Sequence, residues 1–193
     1  MVMAQEELFA DFQQHLAAVG GECYLFGDLG EAAVWIAAQS AVQAKEIVVP
    51  PQFATRKPWG KILPILEELR VHIREAESAA SVADAPAGLS NAELAIAETG
   101  SVLLAENSLQ ARVVSMLTLT HFILVSMRDL YPMLDTAGER LQQYTKPGPD
   151  QRRYISLVTG PSRTADIERT LTIGVQGPKA VQVLFVKDEE KRL

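Results

Sequence analysis

Polar and charged groups that could bind or react gather at three corners of this chain. The first runs from Thr159 to Glu168, just after the apolar stretch Tyr154 to Val158. Gly160 and Pro161 make a turn, and the pattern beyond them predicts a helix over 163–171. In an open α/β sheet, ligands sit outside the carboxyl ends of the strands. The first amides of a helix placed there favour an anion. Ser162 and Thr164 would add hydroxyls, and Arg163 a planar fork for a carboxylate or phosphate. The plainer reading is equally open: Ser162 or Thr164 caps the helix, Asp166 and Glu168 complement its dipole, and Arg163 pairs with them at the surface.

The second corner is Glu98, Thr99 and Gly100. The run 92–97 predicts a helix, Gly100 a tight turn, and Val102 to Leu104 a strand. A carboxylate near a helix C-terminus is poorly placed, so Arg112 or Arg163 is expected to compensate Glu98, unless Glu98 is simply exposed. The third corner, Gly174 to Lys179, holds two glycines and a proline and by itself reads as a turn. Glu98, Arg112 and the segment from Gly160 to Glu168 are expected to converge on one cleft.

The chain has one cysteine, Cys23, and three histidines, His15, His72 and His121. One thiol cannot hold an iron–sulfur cluster or a cysteine-type zinc site. The histidines are scattered without metal spacing. The reading is a chain with no metal and no cofactor of its own. Cys23 lies in an apolar run and is expected to be buried. His121 opens another and is expected to be a hydrogen-bonded structural histidine.

The elements that must position these residues follow from periodicity. Leu8, Phe9, Phe12, Leu16 and Val19 recur at helical spacing, stopped by Gly20 and Gly21, which predicts a helix over 4–19. Strands are expected at 23–26, 46–49, 71–73, 102–104, 122–125, 154–158 and 181–186. Helices are expected at 31–42, 61–69, 113–117 and 132–144. The stretch 76–88, rich in Ala, Ser and Asp, is read as a loop or hinge, and 187–193 as a charged tail. Alternating strands and helices predict an α/β fold with a mostly parallel sheet in a single domain over 1–193.

Composition narrows the partners. With 24 acidic and 18 basic residues the net charge is −6, which disfavours nucleic acid. Residues 1–9 lack a basic n-region, and no apolar run approaches a membrane span, so the expected place is the cytoplasm.

Two long runs carry a family resemblance. Ile96 to Leu104, with His121 some twenty residues on, and Gly160 to Glu168 followed by Gly174 to Pro178, resemble the motifs of the LUD-domain family, in its C-type lactate-utilization branch. Gln176 stands where that family commonly has histidine, Thr118 where it has proline, and Glu106 to Gln110 where it has a glycine-rich turn. The resemblance implies a NagB/RpiA/CoA-transferase-like three-layer sandwich. It further implies a cluster-free subunit of a bacterial system oxidising L-lactate to pyruvate, which binds a small carboxylate or phosphate or docks iron–sulfur partner proteins. The alternative is an independent enzyme acting on a CoA ester, sugar phosphate or folate, suggested by Ala105, Glu106 and Asn107 directly after a strand. A regulatory module without chemistry is the third reading.

Overall fold

The computed structural model describes residues 5–165 and 171–187. In chain order its elements are α1 (Gln5–Ala18), β1 (Glu22–Phe26), α2 (Leu29–Ala37), β2 (Glu46–Val49), α3 (Ile62–Glu68), β3 (His72–Glu75), α4 (Ala79–Val82), β4 (Ala87–Asn91) and β5 (Leu94–Ile96). There follow β6 (Ser101–Glu106), α5 (Leu109–Leu117), β7 (Thr120–Ser126), β8 (Leu130–Tyr131), α6 (Gly138–Thr145), β9 (Tyr154–Val158), β10 (Arg163–Ala165), β11 (Leu171–Ile173) and β12 (Ala180–Val186).

Six strands form a parallel central sheet in the order β1-β12-β7-β4-β2-β3. Its strands are continuous apolar runs, such as Phe122 to Val125, because both faces are covered. On one face α2 and α3 bury Ile36, Ile62 and Leu66 against Ile47, Val49, Phe122 and Leu124. The other face is divided. Over β2 it meets α4 and α5 through Val48, Val82, Val113 and Val114. Over β1, β12 and β7 it meets α1 and a second sheet, through Phe12, Leu16, Ala95, Val102, Leu104, Ile123, Val183 and Phe185. Helices, sheet, and helices with a second sheet make the three layers expected.

The second sheet, ordered β8-β5-β6-β9, was not expected. The run 92–97 is not a helix: Leu94 to Ile96 pair antiparallel with Ser101 to Leu103. Alanine favours helix, yet Leu94, Ala95 and Ile96 are buried on both sides, and only a strand between two layers gives them that. The helix expected over 163–171 is likewise replaced at its described ends, where Arg163–Ala165 and Leu171–Ile173 form an antiparallel pair. The β-branched Thr164, Thr172 and Ile173 suit a ribbon. The stretch 76–88 holds α4 and the start of β4, a strand inside the central sheet. α1, α3, α5, β1, β2, β7, β9 and β12 lie where the periodicity put them, within a few residues, whereas α6 starts only at Gly138 and α2 ends already at Ala37. Residues 188–193 of the expected tail lie outside the described residues.

Candidate functional site

A cleft of about 820 Å³ opens at the carboxyl ends of β2, β3 and β4. Gln52, Arg56 and Trp59 reach it from the loop after β2, Glu77 from the turn after β3, and Asn91 from the last position of β4. The second sheet closes its far side with Glu106, at the end of β6, and Ser108 and Gln110 follow at the start of α5. Arg152, ahead of β9, lies at the rim.

The loop after β2 is firmly built. Phe53 is fully buried. Gln52 takes a left-handed backbone (φ 59°), and its N–H donates to Glu75 Oε1 at 3.0 Å. The Gly60 N–H donates to the Arg56 carbonyl at 2.6 Å. Any Cβ on Gly60 would collide with the Ala54 carbonyl. This frame carries Arg56 across the cleft. Its Nη1 donates to Glu106 Oε1 at 2.7 Å and to Asn91 Oδ1 at 3.1 Å, and its Nη2 donates to Glu106 Oε2 at 2.6 Å. The side chains are 25% and 10% exposed, so this bidentate pair is largely withdrawn from water, where charge-assisted bonds are strongest. Behind it Ser108 caps α5 by accepting from the Ala111 N–H at 3.1 Å. Asn107 Oδ1 accepts from the Arg153 N–H at 3.0 Å. At the rim Tyr144 donates to Glu93 Oε2 at 3.0 Å. Burial, then the Glu93 charge, push the Tyr144 hydroxyl up to about 12.

A carboxyl-end cleft was expected from the fold, but Glu98, Arg112 and, among the described residues, the segment 160–165 do not line it. Gly100 and Gly160 lie at the opposite end of the molecule. Gly100 (φ 62°) abuts the backbone of His15 and Leu16 near the end of α1, and Gly160 (φ 75°) abuts Val19 and Gly21, just before β1. Ser101 and Thr159 link the two corners through their hydroxyls at 2.6 Å. The Ser162 N–H donates to the Pro178 carbonyl at 2.9 Å, two residues before β12 begins. This corner therefore stands at the amino ends of β1 and β12. Pro161 is buried, while Arg163 and Thr164 are exposed on the ribbon. Glu98, beside Thr99 in a turn of 3-10 helix, accepts from the Leu134 N–H at 2.7 Å. Among the described residues that bond, and not an arginine, answers its charge. Arg112, half-buried on α5, lies 4.8 Å over the ring of Tyr154 at the start of β9. Asp166 and Glu168 lie outside the described residues. The two corners thus do come together, but away from the cleft, and Arg112 is separate from both.

Sequence reasoning touched Glu106 through its place after a strand and missed Arg56 and Asn91. Asn91 lies in the stretch read as leading into a helix. Arg56, 50 residues before Glu106, sits in a loop that carries no periodic signal. Both oxygens of Glu106 accept from Arg56, which holds that carboxylate back from attack on an acyl group.

His121 is fully buried on β7, with Nε2 2.8 Å from Ser90 Oγ on β4 and Nδ1 without a partner among the described residues. Burial drives its pKa down to about 3, so the imidazole is neutral. Burial likewise pushes the Cys23 thiol up to about 12. Among the described residues no group of three or more His, Cys, Asp or Glu side chains is placed to hold a metal ion. No helix among them is long and apolar enough to cross a membrane.

Comparison with known proteins gives three findings. The sequence profile of the LUD domain matches residues 10–186. Lactate utilization protein C 1 of Bacillus mycoides is 31% identical over 102 residues, which are 53% of this chain and 44% of that protein. Lactate utilization protein C of Bacillus subtilis is 33% identical over 101 residues, 52% of this chain and 42% of that protein. The chain thus aligns with less than half of either relative. The crystal structure of a DUF162 family protein from Deinococcus radiodurans superposes with a TM-score of 0.66, covering 96% of this chain and 99% of that one. At 20% identity that likeness concerns the fold alone.

Proposed function

Since the chain belongs to the LUD-domain family, we propose that it is the cluster-free subunit of a bacterial system that oxidises L-lactate to pyruvate. In this reading it acts in the cytoplasm, as one domain, beside iron–sulfur proteins that carry the electrons. Its own part is to bind a small carboxylate or to dock those partners. The observation that carries the reading is the match to lactate utilization proteins over half of the chain. A single cysteine supports the cluster-free role, since a cluster needs several thiolates. So does the thiol's burial inside the core between the two sheets.

The test is purification of the chain from its native host, with iron analysis of whatever accompanies it, and deletion of its gene. Co-purifying iron–sulfur proteins and loss of growth on L-lactate, with growth on pyruvate intact, are the expected results. Normal growth on lactate after deletion, with no iron protein retained, would overturn the proposal.

A further inference from the structure

We infer that Arg56 is the receptor for the carboxylate of a small 2-hydroxy or 2-oxo acid, and that the Glu106 carboxylate holds that place until the acid displaces it. This deepens the carboxylate-binding part of the proposed function and rests on it. The docking of partners is independent of it.

A guanidinium presents two parallel N–H donors whose spacing matches a carboxylate. Glu106 takes both, at 2.7 and 2.6 Å, so the geometry already accepts a carboxylate here. Asn91 separately accepts from Nη1 at 3.1 Å, and the Phe53 ring lies 5.9 Å below the guanidinium carbon. These contacts keep the fork in place when Glu106 withdraws. Arg56 and Glu106 come from different layers, one on the loop after β2 and the other at the end of β6 in the second sheet. Their bond spans the cleft, and the space around it leaves room for Glu106 to turn aside. Gln52, Ser108 and Gln110 offer amide and hydroxyl groups to a second oxygen beside the carboxylate, the feature that separates lactate or pyruvate from a plain fatty acid. The cleft is several times larger than such a molecule.

The sign of one substitution separates a receptor from a structural ion pair. Glu106 is an intramolecular competitor, acting at an effective concentration of about millimolar or more. Glu106→Gln removes the competing charge and keeps the shape. If Arg56 is the receptor, this variant binds L-lactate and pyruvate more tightly than the native protein does. The experiment is calorimetric titration of native protein, Glu106→Gln and Arg56→Lys with L-lactate, pyruvate and inorganic phosphate, after circular dichroism has checked the fold. The expected result is a gain of about tenfold in affinity for both acids in Glu106→Gln, a charge-assisted bond being the difference. Arg56→Lys should lose the binding, because an ammonium cannot reproduce the fork. Should Glu106→Gln fail to fold, Glu106→Asp, which shortens the arm and weakens the pair, is read in the same way. Affinity no greater than native, or phosphate bound as well as pyruvate, would overturn the assignment. Neither failure touches the co-purification result, which uses the native chain with its partners.

Discussion

His121 shows how one buried side chain ties the core to pH. Burial holds its folded pKa near 3 against an ordinary value of 6.5. Between those values the unfolded chain carries the extra proton, so stability falls as pH is lowered from 6.5 toward 3, by up to about 1.4 kcal/mol per pH unit. Above pH 6.5 the contribution is complete. Urea unfolding of the native protein at pH 7 and pH 5 should differ by about 2 kcal/mol more than for His121→Gln. Equal losses on acidification would assign the effect to other groups. Cys23 gives a simpler test. With its thiol buried and pushed up to about 12, it should resist a thiol reagent at pH 8 in the native state and react once the chain is unfolded. Both side chains were legible in the sequence, since each lies in an apolar run that could only be an interior strand. Arg56 was not, because a loop residue announces neither its partner nor its direction. Glu106 was visible only as a carboxylate after a strand, without the arginine that gives it meaning.

Elements were legible where one period dominated and illegible where two layers met. α1 shows its apolar stripe and its glycine stop. β5, by contrast, is three small or branched residues buried on both sides, and with Ala92 and Ala97 flanking it the run reads as helix. The hairpin it makes with β6 turns on Gly100, whose φ is 62°. A Cβ there would run into the Leu16 backbone near the end of α1. Gly100→Ala should therefore be costly twice over, through backbone strain and through a collision that no rotamer relieves. A loss of about 2–4 kcal/mol in urea unfolding is expected. Gly138 is the control. It opens α6 with φ −56°, and a Cβ there would meet nothing within 4 Å. Gly138→Ala should stabilise by about 0.5–1 kcal/mol, chiefly by restricting the unfolded chain. If the two alanines behaved alike, the tight seat of the β5–β6 turn on α1 would be wrong. The ribbon of β10 and β11 escaped sequence reading for a different reason: Ser162, Arg163, Thr164, Asp166 and Glu168 supply good helix-start chemistry, and only pairing with Leu171–Ile173 decides for strand.

At the scale of the whole molecule, the central parallel sheet was foreseeable because strands and helices alternate, whereas the second sheet depends on contacts no local pattern encodes. The two sheets share one core. Phe12 on α1 is fully buried and meets Phe185 on β12 edge to face at 4.9 Å, while Ala95, Val102 and Leu104 of the second sheet join the same cluster. A core common to both sheets should make them unfold together. The two tryptophans make this testable, because Trp35, on α2, and Trp59, just before α3, both join the core on the opposite face of the central sheet. Their fluorescence reports the central sheet from its far side, and far-ultraviolet circular dichroism reports every element. In urea the two signals should give one coincident transition for the native protein. Phe12→Ala removes a large buried ring and should cost about 3–5 kcal/mol. Because α1 bridges the layers, that loss should move both signals by the same amount of denaturant. A dichroism change that precedes an unmoved fluorescence transition would mean that α1 and the second sheet melt on their own, and the shared core would then not be what joins the layers.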